Sequence, residues 1–112
     1  MKDSLANYQS IDLNIAFYQS RIDSYRPLMG LTRNLHRLAI TQMTHYQSKI
    51  VELKTRKKDI EQAVKNMPSP YREAIQCRYI EGLSINATAR KLHYAPTTIR
   101  RHIERGIQIL EG

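Results

Sequence analysis

A formal net charge of +8 on 112 residues, with a pI near 9.9, favours a polyanionic partner and leaves room for one small domain, or a domain with an extension. No apolar run approaches the roughly 18 residues of a membrane span, and the N-terminus has no signal-peptide core. A cytoplasmic protein with no membrane partner is therefore expected. The single cysteine, Cys77, cannot form an internal disulfide; it lies beside Ile75 and Ile80, where a packed thiol is expected and not a nucleophile.

The first predicted helix runs from about Ser4 to Arg26. Tyr8, Ile11, Ile15, Tyr18, Ile22 and Tyr25 are separated by three or four residues in alternation, the spacing of a coiled-coil seam. Pro27 and Gly30 end it, with Leu28, Met29 and Leu31 placed to cap the core at the bend. A second helix is predicted from about Asn34 to Asn66, with an apolar stripe of Leu35, Leu38, Met43, Tyr46, Ile50, Leu53, Ile60, Val64 and Met67 and a polar gap around Lys57. The run Lys54-Thr55-Arg56-Lys57-Lys58 reads as a solvated face. Such a helix spans about 50 Å, longer than the first can cover. Surplus apolar surface then needs a second chain or the C-terminal unit, and a homo-oligomer, with a dimer favoured, is expected.

Met67-Pro68-Ser69-Pro70 interrupts that helix, because each proline pushes its predecessor out of the α region. A helix restarts at Ser69 and Pro70 and continues through Glu81. Gly82 stops it, Ser84 N-caps a short helix through Leu92, His93 to Ala95 make a turn, and Pro96 takes the first position of a last helix. Two helices joined by so short a turn cross steeply, with Ala89 facing Ile99 and Ile103 where they touch. Ile99, Ile103, Gly106, Ile107 and Leu110 form the buried stripe of the last helix; Thr97, Arg100, Arg101, Glu104 and Arg105 face out. Arginine forks suit guanine edges and phosphates, and threonine suits phosphates and the thymine methyl. Ser84, Thr97, Thr98, Arg100, Arg101, Glu104 and Arg105 are thus the candidate DNA-binding residues.

His36, His45, His93 and His102 share no metal-ligand spacing with Cys77 or with a carboxylate cluster, so no metal is expected; His102 is expected at the edge of the last helix, near a phosphate. Paired carboxylates in a cleft, a glycine-rich phosphate loop and a nucleophile-base set are all missing from the pattern, so neither an enzyme nor a cofactor is expected.

From Pro68 to Leu110 the residues resemble region 4 of the sigma-70 family, the part of a sigma factor that binds the promoter −35 element. Met67-Pro68, Arg72-Glu73-Ala74-Ile75, the run Arg78-Tyr79-Ile80-Glu81-Gly82-Leu83-Ser84, then Ala89, Leu92 and Thr97-Thr98-Ile99-Arg100 carry the likeness. Two positions depart from it: His93 stands where the family has glycine, and Thr88 where it has an aliphatic residue. The N-terminal part lacks the tryptophan-rich segment that melts promoter DNA, and the whole is similar to small phage regulators of the ArpU and RinA type. The predicted elements together with this resemblance imply an all-α protein, with a long coiled-coil-like helical hairpin for oligomerisation over residues 1–66. A three-helix helix-turn-helix domain follows over 67–112. The implied function is sequence-specific binding of double-stranded DNA as a transcriptional regulator, a phage or prophage activator of late genes. A small-terminase-like DNA-packaging subunit and a helical adaptor that binds RNA polymerase are the alternatives.

Overall fold

The computed structural model describes residues 2–112, all of whose regular structure is helical. Helix α1 covers Lys2–Ala6 and α2 Tyr8–Tyr25; a 3-10 turn, Arg26–Leu28, leads to the long α3, Arg33–Lys65. Helix α4, Tyr71–Ile75, continues directly into a π-helical segment, Gln76–Ile80; α5 covers Ile85–Leu92 and α6 Pro96–Glu111. The first predicted helix is therefore broken at Asn7, and the helix expected from Ser69 starts at Tyr71 and widens into π geometry over its second half.

Two compact units divide the chain: residues 10–56, and residues 2–9 together with 57–112. The division expected from sequence, at 66/67, differs from this one at both ends. Ile60, Val64 and Met67 are buried within the second unit, and so is Leu5, so the end of α3 and the whole of α1 belong to the C-terminal core.

In the unit of residues 10–56, the predicted stripe on α2 keeps its meaning: Ile11 and Ile22 are buried, and Ile15, Tyr18 and Tyr25 half-buried. Tyr18 and Tyr25 both stack near the Tyr46 ring of α3, at centroid separations of 5.8 and 6.3 Å, and the Arg21 guanidinium lies 5.9 Å from the same ring. The start of the α3 stripe needs correction. Leu35 and Leu38 are exposed while Ala39 is wholly buried, because the seam runs Ala39, Met43, Tyr46, Ile50, Leu53 in strict four-three alternation. A reading led by hydropathy passes over alanine and takes the nearest leucines. The bend itself is tied by short-range bonds: Gly30, at φ +82°, donates its N–H to His36 Nδ1 (3.1 Å), and Thr32 Oγ1 accepts from the Leu35 N–H (3.1 Å), capping α3.

In the second unit, Ala74 and Ile75 of α4, Ala89 of α5, and Ile99 and Ile103 of α6 form the centre of the core. Gly106 permits the close approach of α6 to α4, since a Cβ there would lie 2.8 Å from Ile75 Cγ1 and 3.1 Å from Met67 Cε. Lys57 continues the α3 stripe, and its ammonium sits 5.9 Å from the Tyr8 ring centroid. The expected polar gap is thus a half-buried lysine whose stem covers an aromatic face, and not part of a solvated run.

Candidate nucleic-acid interface

The geometry that aims α6 is built from the turn upward. Gly82, at φ +75°, ends the π segment in a conformation that glycine adopts without steric cost. Ser84 then begins α5, its hydroxyl accepting from the Ala87 N–H at 3.0 Å. At the other end of α5, His93 takes φ +62° and ψ +42°, and the Tyr94 N–H donates to the Ala89 carbonyl at 3.0 Å. This is the left-handed position for which glycine is usual, occupied here by a residue with a Cβ. Pro96 follows at the first turn of α6, where its missing N–H leaves no helical bond unmade.

Electrostatic ties hold α5 to the turn. Lys91 Nζ lies 2.6 Å from Glu81 Oε1 across the turn. The hydrogen bond from Lys91 holds the Glu81 carboxyl below its ordinary range, and the same bond raises the Lys91 ammonium. Arg78 Nη1 donates to the Leu83 carbonyl at 3.2 Å. Cys77 is buried behind this network; desolvation pushes its thiol up to about 11, which leaves it protonated at neutral pH and without thiolate reactivity. On α4, Ser69 Oγ donates to Glu73 Oε1 at 2.7 Å and holds that carboxyl low, with help from Arg72.

Six of the seven candidate DNA-binding residues come together on or beside the outer face of α6. Thr97, Arg100, Arg101, Glu104 and Arg105 are exposed, opposite the buried Ile99, Ile103 and Gly106. Thr98 is half-buried, at the margin of that face. Ser84 stands apart as the N-cap of α5, exposed, with its hydroxyl already accepting a backbone bond. Arg105 Nη1 donates to Gln108 Oε1 at 3.2 Å, whereas Arg100 and Arg101 have no ion pair or hydrogen bond to the described residues. Their guanidinium groups are free to meet an incoming anion or base edge. His102, half-buried, has its ring 5.7 and 5.0 Å from those of Tyr71 and Tyr94 and nearly perpendicular to both.

An exposed, basic face on a helix joined to α5 through the short His93–Ala95 turn is the geometry of a helix-turn-helix. Residues 57–110 match sigma-70, region 4. Region 4 is a helix-turn-helix DNA-binding domain, so a DNA-binding, transcription-related role follows for this part of the chain. The match starts where the second compact unit resumes, at Lys57, about ten residues before the point at which the motif is recognisable by eye. Ile60 and Val64 lie inside the match but outside the domain expected over residues 67–112. Their spacing continues the stripe of α3 without interruption and carries no boundary signal. Neither a curated protein nor a solved structure matches the chain. Among the described residues no helix is long and apolar enough to cross a membrane.

Proposed function

We propose that the chain is a sequence-specific double-stranded DNA-binding regulator of transcription, in which α6 enters the major groove. Thr97, Arg100 and Arg101 read base edges there, while Thr98, Arg105 and the N-terminus of α5 at Ser84 lie toward the backbone and Glu104 restricts the permitted bases. The observation that carries this reading is the pair Arg100 and Arg101, exposed on the region 4 helix and without a partner among the described residues. Lysine and arginine contacts to phosphate supply much of the affinity of such a complex, and the net charge of +8 fits that role.

The finer reading is a cytoplasmic phage or prophage activator of late genes, paired through its helical hairpin and in contact with the host RNA polymerase. Two recognition helices on one face of DNA are separated by about 34–36 Å, a span that a long hairpin suits. The chain acts by binding and not by catalysis. Selection of bound DNA from a random pool tests the core of this reading. Arg100→Ala and Arg101→Ala are each expected to cost about 1–3 kcal/mol on the selected site and to flatten its preference. Equal weakening on selected and random DNA would reassign both arginines to phosphate, and a pool without enrichment would overturn the function.

A further inference from the structure

Gln9 lies at the start of α2, far in sequence from the helix-turn-helix, and its side chain is exposed. Its Nε2 nevertheless donates to two successive carbonyls at the end of the π segment, Tyr79 O at 2.7 Å and Ile80 O at 2.6 Å. These are carbonyls that a helix end leaves without an internal donor. The nearest N–H groups are used elsewhere: Glu81 donates to Gln76 O at 2.8 Å and Leu83 to Cys77 O at 2.9 Å, after which Gly82 turns the chain toward Ser84. The two amide hydrogens of one carboxamide match the two orphaned acceptors.

The same side chain lies over the turn. A Cβ on Gly82 would stand 3.3 Å from Gln9 Cδ, an unusually tight approach. Gln9 is in turn anchored through the residues that precede it. Leu5 is buried, α1 packs against α6 and the π segment, and the Tyr8 hydroxyl donates to Glu61 on α3. Gln9 thus links a fixed N-terminal anchor to the turn from which α5, and through it α6, departs. Glu81 on the opposite side of that turn is held by Lys91.

We propose that Gln9 is a positioning residue for DNA recognition: by donating to the Tyr79 and Ile80 carbonyls it fixes the Gly82 turn and hence the placement of the face bearing Thr97, Arg100 and Arg101. The functional half of this inference rests on the DNA-binding reading above. Base readout requires side chains held within about 0.5 Å by the groups that support them, and a turn whose last carbonyls lose their donors is free to shift by more than that.

Three variants of the full chain separate donation from bulk. Gln9→Glu keeps the shape but presents acceptors to acceptors; Gln9→Ala removes the group; Gln9→Lys restores a donor, whose charge also suits a helix C-terminal end. Two quantities are read: the ratio of affinities for selected and random DNA at one salt concentration, and the hydrogen-exchange rate of the Leu83 amide. Gln9→Glu is expected to lower the ratio about tenfold, in line with the cost of leaving acceptors unpaired, and to speed Leu83 exchange. Gln9→Ala should have a smaller effect of the same sign, and Gln9→Lys should hold both near wild type while raising the two affinities alike. A wild-type ratio and wild-type Leu83 exchange in Gln9→Glu overturn the proposal, as does a Gln9→Lys chain that behaves like Gln9→Ala. If the unmodified chain shows no DNA preference, the function above fails and Leu83 exchange alone decides the clamp. If circular dichroism shows Gln9→Glu unfolded, the alanine and lysine variants decide it.

Discussion

In the unit of residues 2–9 and 57–112, the large side chains Leu5, Ile60, Ile75 and Ile99 lose essentially all exposure, and Tyr94 is the single large hydrophobic left open among the described residues. Residues 10–56 behave otherwise: Leu13, Phe17, Leu31, Leu35, Leu38, Ile40 and Val51 all remain exposed, several by more than half. The cause is geometric. Two helices share one seam, and side chains on their outer faces have nothing to meet, whereas helices from α1, α3, α4, α5 and α6 enclose a centre. The helix-turn-helix unit is consistent with burial that is complete within one chain. The hairpin leaves apolar side chains exposed, and its seam joins the buried Ile11, Ile22, Ala39 and Ile50 to a half-buried cluster of Tyr18, Tyr25 and Tyr46.

The contrast is broken most directly at Ile75, wholly buried between α4 and α6. Ile75→Ala should destabilise the second unit by about 2–5 kcal/mol, read as a lower denaturant midpoint followed by loss of DNA binding. A change under about 1 kcal/mol would mean that the core is looser than its burial implies. Thr88 sharpens the same core from the other direction. Its side chain is fully buried, and its Oγ1 has no hydrogen-bond partner. Thr88→Val, which restores an aliphatic residue of the same shape, should raise stability by about 1 kcal/mol, and a thermal scan would detect it.

A smaller effect is expected in acid. Glu73 and Glu81 titrate below their ordinary value of 4.5 in the folded chain, the first through Ser69 and the second through Lys91. Their contribution is therefore present above about pH 4.5 and is lost as pH falls through the depressed folded values. Both carboxyls are partly exposed, so each is worth less than about 1 kcal/mol. Glu81→Gln should flatten the acid limb of a stability profile, and an unchanged profile would remove the Lys91 tie from the account. Leu35→Ala, on the open face of the hairpin, should shift stability by no more than about 0.5 kcal/mol; a loss near that of Ile75→Ala would show that Leu35 is covered in solution.

Legibility in the sequence followed how local each signal is. Ser84, His93, Pro96 and Gly82 announce caps and turns within a few residues of themselves, and all four stand in those roles in the fold. The outer face of α6 was legible for the same reason, since a helix of known start assigns its exposed side by periodicity alone. The Leu35 and Leu38 positions were misread because a stripe can be entered in more than one register until the partner helix selects one, and the partner selected Ala39. The tyrosine neighbours of His102 were not legible, because an amphipathic edge does not reveal which side chains from α4 and the turn will close on it.

The sequence by itself determined the all-helical class, the basic charge, the helix-turn-helix with its turn chemistry, and the identity of the residues on the exposed face of α6. Each follows from short-range rules of capping, spacing and side-chain chemistry. Tertiary structure alone decided that α1 and the end of α3 complete the DNA-binding unit, that Lys57 covers Tyr8, that Gly106 must lack a Cβ, and that Gln9 reaches the carbonyls of Tyr79 and Ile80. Those contacts join residues some thirty to seventy positions apart along the chain. No local period or cap encodes which distant backbone group a free amide will find; that depends on the three-dimensional closure of the core around it.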